Sequence, residues 1–273
     1  MSALRVTIAG QTMSLFPQRA AFWHASSTLL VADLHLGRQQ AWRAGGVPIS
    51  DRAQLASLDE PLQRLSTVLH ATAAARVLVL GDLLHAPAGL TDAMVDHVAA
   101  WRAGHRGVRF DVVPGNHDRH LDRVIDAWRL VVAERRVVEA PFEFVHNPAD
   151  AQGMPPAYTR GGEEWLAGDP ASTVASRRPG NVEAAVRPDR SRLSDAARGV
   201  EPHPIVTCSG HIHPMVRLAT SRESLRVPAF LASGRLFLLP AFCGFFSGVT
   251  VEPAPDSRIY PIAGDRVLDL SGR

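Results

Sequence analysis

No lysine occurs in this sequence; all 29 basic residues are arginine. Arginine presents a rigid fork suited to phosphate. Alanine, arginine and proline are abundant together, however, so the missing lysine reads as compositional bias. Neither sign of charge dominates: the formal net charge is +2 and the pI is about 8.9. Bulk charge alone therefore does not identify a nucleic-acid binder. There are only two cysteines, Cys208 and Cys243, far apart and in apolar segments. Two buried thiols in a reducing compartment are expected, with a disulfide as the alternative. Long hydrophobic runs are missing as well. The longest, 236–246, is interrupted by Pro240 and Gly244 and is too short to span a bilayer. The first residues do not pair a charged segment with a long apolar one, so no secretory leader is expected. A cytoplasmic protein with no membrane partner is the expectation.

What is present suits a single large domain over 1–273, with 46% hydrophobic residues and no internal repeat. Apolar runs at 28–32, 76–80 and 110–113 read as buried strands. Between them, Ser50 is placed to cap a helix over 52–74, with Leu55, Leu58, Leu62, Leu65 and Leu69 at helical spacing and Pro61 as a kink or break. Thr91 is placed to cap a second helix over 92–102, and 120–128 reads as a third. This β-α-β-α-β pattern predicts crossovers onto one sheet. Strands are expected at 142–146, 205–209, 215–219, 225–231, 236–239 and 249–251, with a hairpin over 258–270 around Gly264-Asp265. Together they predict a second, mostly antiparallel sheet. The segment 147–203 is rich in Pro, Gly, Ala, Arg, Asp and Glu and lacks periodicity. It reads as a polar insertion: a flexible loop, or a lid using Arg177, Arg178, Arg187, Arg190 and Arg192.

Four motifs carry chemistry: Asp33-Leu34-His35, Gly81-Asp82, Gly115-Asn116-His117-Asp118 and Gly210-His211-Ile212-His213. Asp33 and His35 stand two apart at a strand end, where extended backbone puts both on one face and lets both reach one metal. Asp82 follows a second strand, and its two oxygens can bridge two cations. Asn116 offers a neutral oxygen. His117 follows directly, points elsewhere, and is placed to protonate a leaving oxygen, with Asp118 orienting the imidazole. His211 and His213 add two imidazoles, and His146, ending a strand, is the remaining ligand candidate. His85 either contacts a substrate phosphate or caps its loop; Arg38 and Arg119 are flanking phosphate candidates. Oxygen and imidazole donors without cysteine argue against a tetrahedral thiolate zinc site. Two divalent ions are expected, with manganese favoured and iron, zinc or magnesium as alternatives.

The four motifs, with His146 between the third and fourth, resemble the calcineurin-like metallophosphoesterase superfamily. The resemblance implies a four-layer α-β-β-α sandwich with a binuclear site between sheet edges. It implies that Asp33, His35 and His213 hold one metal, that Asn116, His146 and His211 hold the other, and that Asp82 bridges them. His117 then matches the family's phosphate-contacting histidine and general acid. Ala32-Asp33-Leu34-His35-Leu36-Gly37, Leu80-Gly81-Asp82-Leu83-Leu84-His85, Gly115-Asn116-His117-Asp118-Arg119 and the tail Leu239-Pro240-Ala241-Phe242 with Gly244-Phe245 are similar, more closely, to the ligase-associated DNA damage response phosphodiesterase/endonuclease family. That similarity implies a manganese-dependent DNA endonuclease of bacterial DNA repair, with a ligase, a helicase and a nuclease-like protein as partners. The departure is the insertion: 65 positions separate His146 from His211, more than the subfamily pattern needs.

The expected reaction is phosphodiester hydrolysis, since paired cations activate water and offset charge at phosphorus. DNA is the expected substrate, held through flanking phosphates without base reading. The alternatives are a small-molecule phosphodiesterase acting on nucleotides or cyclic nucleotides, a pyrophosphatase, a protein phosphatase, and a non-catalytic scaffold on the same fold.

Overall fold

The structure is a computed structural model that describes residues 2–151, 159–160, 163–164, 205–219, 223–244, 248–252 and 256–270. Most of the expected insertion 147–203, with its five arginines, lies outside the described residues. Among the described residues no helix is long and apolar enough to cross a membrane.

The first sheet runs in chain order: β1 (Leu4–Ile8), β2 (Gln11–Phe16), β3 (Ala20–Trp23), β4 (Thr28–Val31), β5 (Arg76–Leu80), β6 (Arg109–Val113) and β7 (Leu130–Val132). β1 to β4 form an antiparallel meander, and β4 to β7 are parallel. The meander's first three strands are an addition to the expected pattern. β3 is buried throughout, so it shows no polar alternation along the sequence. Four α-helices follow β4 and β5 or precede β7: α1 (Arg38–Ala44), α2 (Asp51–Thr72), α3 (Asp92–Ala103) and α4 (Ile125–Trp128). The Ser50 and Thr91 hydroxyls cap α2 and α3, accepting from Ala53 N and Met94 N at 3.3 Å each. Pro61 does not split α2. It forfeits one backbone bond but is buried beside Leu58, Leu62 and Leu65, whereas Leu55 is 42% exposed. The expected helix 120–128 is instead a 3-10 turn, Leu121–Arg123, followed by the single turn of α4.

The second sheet contains β8 (Arg136–Glu139), β9 (Phe142–Val145), β12 (Val206–Ser209), β13 (Pro214–Ala219), β14 (Ser224–Ser233), β15 (Leu236–Leu238) and β16 (Val249–Thr250), in the order β16-β13-β14-β15-β12-β9-β8. β17 (Arg258–Ala263) pairs with β14 and with β18 (Arg266–Val267), giving the expected closing hairpin. β10 (Thr159–Arg160) and β11 (Glu163–Glu164) form a separate antiparallel pair. The sheet is mostly antiparallel, but β12 runs parallel to both β9 and β15.

Alternation along the first sheet divides the core. Leu29, Val31, Val77, Val79, Phe110 and Val112 join the helix residues Leu58, Leu62, Met94 and Val98. Leu30, Ala32, Leu78, Leu80 and Val113 join Phe142, Phe144, Cys208 and Phe237 of the second sheet. Trp23 meets Phe142 edge-on, with ring centroids 5.0 Å apart. Cys208 and Cys243 are both buried and no disulfide joins them. The chain thus forms an α/β sandwich of two facing sheets. On the second sheet, Val216, Val227, Ala229, Leu231 and Leu238 build a third apolar cluster.

Candidate metal centre

Every motif follows a strand of a parallel set. Residues 33–35, 81–82 and 115–118 follow β4, β5 and β6 in one sheet; His146 and 210–213 follow β9 and β12 in the other. Parallel strands end at a common edge, which is where open α/β sheets gather their sites. The backbone there is not extended, so strand alternation does not set the directions of Asp33 and His35 as expected. Asp33 (φ +57°), His35 (+47°), Asp82 (+51°), His211 (+66°) and His213 (+50°) are all left-handed. Such residues cost about 1–3 kcal/mol each and persist where surroundings enforce them. Here Asp33 N donates to Gly81 O, His35 N to Asp82 O and Leu36 N to Leu83 O, so the first two motif loops zip together. From the tail motif, Phe242 N and Cys243 N donate to Ala32 O and Asp33 O and brace the same turn.

The motif glycines act through close approach. A Cβ on Gly81 would overlap the His146 ring, one on Gly115 the Asp82 carboxylate, and one on Gly210 the Asp33 carboxylate. Only Gly81 of the three also has a positive φ, +76°. Gly115 opens the turn in which Asp118 N donates to Gly115 O at 3.3 Å, and its lack of a side chain also makes room for Asp82.

The donors converge in two groups. Asp33, His35 and His213 offer atoms within 4.8 Å of one another, as do Asp82, His146 and His211. His213 Nε2 stands 3.2 Å from Asp33 Oδ1. His146 Nε2 lies 3.0 Å from both His211 Nδ1 and Asn116 Oδ1. Asp82 Oδ2 sits between the groups, 3.4 Å from His146 Nε2 and 3.7 Å from His35 Nε2. Cations with bonds of about 2.1 Å separate neighbouring donors by roughly 3 Å, so these spacings fit two coordination shells.

Electrostatics point the same way. The His146 Nδ1–H donates to Leu80 O at 3.0 Å, which leaves Nε2 as the variable nitrogen. That nitrogen faces three acceptors: Asp82 Oδ2, Asn116 Oδ1 and the His211 ring. Burial opposes a charge on His146, but Asp82 and Asp33 outweigh it and raise the imidazole to about 9. Burial likewise opposes ionisation of Asp82, yet His146 and His35 hold its carboxyl well below the usual range. A cluster of acceptors that pulls in a proton this strongly is one that a cation satisfies. His35 differs: burial lowers it to about 3 despite both carboxylates, so at neutral pH its approach to Asp82 is not an ion pair. Burial and His146 also lower His211.

His117 is half-exposed. Its Nδ1–H donates to His85 O at 2.7 Å, and its Nε2 lies 4.0 Å from Asp82 Oδ2. The expected partnership with Asp118 is corrected, because the Asp118 carboxylate instead accepts from Leu84 N and Gly115 N at 2.9 Å each. Asp118 thus ties the loops after β5 and β6 together, and the His85 carbonyl orients His117. The His85 ring stacks on His117 with centroids 5.7 Å apart, and the two join His35 in a third imidazole group. Burial, then the charges of His117 and Arg38, lower His85 to about 4. It is therefore a neutral ring at pH 7. Arg38 is buried, stacks over Trp42 at 4.6 Å and lines a cavity with His35. Arg119 is exposed, and no hydrogen bond among the described residues joins it to the cluster. Arg19 and Arg226, outside every motif, line a cavity beside His213. No local signal marks them, because each lies on an element remote from the motifs.

No protein-family model matches the sequence, and no curated protein does. Among solved structures the chain is similar to the Pseudomonas putida nuclease MPE. The two are 24% identical, the match covers 98% of this chain and 100% of that one, and the TM-score is 0.67. That similarity extends over the whole two-sheet sandwich and shows a shared fold. YfcE, a phosphoesterase from E. coli, matches at 12% identity over 90% of this chain and 99% of its own, with a TM-score of 0.37.

Proposed function

We propose that this protein is a metal-dependent phosphodiester hydrolase that cleaves DNA internally. The observation that carries the reading is the position of Asp82 Oδ2, shared between the His35 side and the His146 side of one buried cluster. The fold held in common with a protein that is itself a nuclease supports it. Asp33, His35 and His213 would hold one cation, Asn116, His146 and His211 the other, with Asp82 reaching both. Manganese is the favoured metal, because all seven donors are carboxylate or amide oxygen or imidazole and none is a thiolate.

When bound, two such cations lower the pKa of water and offset the charge that gathers on phosphorus. The chain's own contribution is proton placement. The His117 Nδ1–H is committed to the His85 carbonyl, which leaves Nε2 facing Asp82. Protonated there, His117 donates to the oxygen that leaves phosphorus. Asp118 acts on this step through the loop it braces. The neutral His85 ring backs His117 and adds no second positive charge. Arg38, beside His35, is placed to meet a phosphate oxygen. A cytoplasmic role in bacterial DNA repair, with a ligase, a helicase and a nuclease-like partner, completes the reading.

The test is hydrolysis of bis(p-nitrophenyl) phosphate with added manganese, alongside circular single-stranded DNA, linear duplex DNA and cyclic nucleotides. Linearisation of the circle is expected. Asp82→Ala should lose nearly all turnover and bound metal; full turnover by that variant refutes the shared carboxylate. Inertness toward every DNA, with cyclic nucleotides cleaved, would move the assignment to a small-molecule phosphodiesterase.

A further inference from the structure

Two cavities flank the Asp33–His35–His213 group. One, of about 240 Å³, is lined by Arg19, His213, Met215 and Arg226. The other is lined by His35, Arg38, Ser57 and Glu60. Gly244 borders both.

The cavity beside His213 is built to be positive. Arg19 sits in the tight turn between β2 and β3, itself left-handed at φ +65°. Its Nη1 donates to two main-chain oxygens, Ala241 O at 3.2 Å and Cys243 O. Cys243 N in turn donates to Asp33 O at 3.1 Å. The guanidinium is thereby positioned relative to a candidate ligand through one backbone segment. No carboxylate is among its hydrogen-bond partners in the described residues. The nearby acid, Glu60, pairs with Arg64 at 2.8 Å. Arg226 reaches in from β14 and donates to Gly248 O at 2.9 Å. Between the two arginines the wall is apolar: Pro214, Met215, Pro228 and Ala241. Guanidiniums held by carbonyl oxygens keep their charge, and the anion they match best is a phosphate.

We infer that Arg19 and Arg226 form a second phosphate subsite on the His213 side of the centre, which receives the phosphate flanking the one cleaved in a nucleic-acid strand. The inference rests on the phosphodiesterase reading and sharpens it. A diester with one phosphate fills only the metal centre; a strand fills both sites. Arg19 also braces residues 241–243, so the exposed Arg226 of β14 is the cleaner probe.

The experiment compares Arg226→Gln and Arg226→Lys with the unaltered protein on bis(p-nitrophenyl) phosphate and on a thymidine dodecanucleotide. Arg226→Gln should lower kcat/KM on the dodecanucleotide at least about tenfold more than on the small diester, with Arg226→Lys recovering part of the loss. In a second readout, anisotropy of the fluorescein-labelled dodecanucleotide in EDTA is titrated with salt. One lost phosphate contact on a single strand reduces the slope of log K against log salt by about 0.7. Equal effects on both substrates, or an unmoved salt slope, overturn the subsite. If the unaltered protein cleaves neither substrate, the phosphodiesterase reading fails by itself, and the EDTA slope still decides the subsite.

Discussion

His146 is the residue on which proton and metal compete. Its folded pKa of about 9 lies above the ordinary 6.5, so the metal-free protein holds a proton there at pH 7.5. A cation must displace it. Manganese binding at pH 7.5 is expected to release about one proton, and apparent affinity is expected to fall roughly tenfold per unit of pH below 8.5. Calorimetry in buffers of different ionisation heat checks this, and binding without proton release would refute it. The same shift has a stability consequence in the metal-free protein. A raised pKa contributes stability that is fully present below about 6.5 and lost as pH climbs through about 9. His117 predicts differently, since its proposed role is that of an acid. His117→Asn should lower turnover about 10²- to 10⁴-fold and leave the bound metal in place. Loss of metal along with rate would instead make His117 a ligand. That these residue types belonged to one site was legible in the motifs. That His85 O, and not Asp118, orients His117 was not, because two loops brought together by folding supply that bond.

At the scale of elements, the strand–turn junctions do the work. β5 is buried along Val77 to Leu80, then Gly81 turns left-handed and Asp82 follows in the same region. The close approach of Gly81 to the His146 ring spans the two sheets. Gly81→Ala is therefore expected to displace His146 and reduce bound manganese from two equivalents to one or none, with the far-UV circular dichroism retained. Metal analysis of the purified variant checks this, and two retained equivalents would show that the ring can yield. The helices were readable because Ser50 and Thr91 announce them and their apolar residues recur at helical spacing. β2 and β3 were not, because burial of both faces erases alternation. Segment 120–128 carries enough apolar residues for a helix, but folding splits it, with Val124 at φ −127° between the two turns.

The molecule as a whole places its candidate ligands on two sheets. Asp33, His35, Asp82 and Asn116 follow strands of the first; His146, His211 and His213 follow strands of the second. Cations held between them would cross-link the sandwich and bind the folded state alone. Manganese at a hundred times its Kd should stabilise the protein by about 2.7 kcal/mol, seen as a higher Tm in scanning calorimetry and reversed by EDTA. A Tm indifferent to manganese would mean that the seven donors do not act as one site. The cavity beside His213 belongs to this scale too. Arg19 and Arg226 come from different sheets, and no spacing along the chain relates them.

By itself the sequence determined the ligand chemistry, the strand ends that bear it and the two capped crossover helices, because short-range periodicity and residue type decide those. Only the tertiary structure decided which donors share a neighbourhood, which glycines make room for which side chains, what orients His117, and where Arg19 and Arg226 come together. Residues as far apart as Asp33 and His213 meet because parallel strands in two facing sheets end at one place, and that convergence is a property of packing with no local signature.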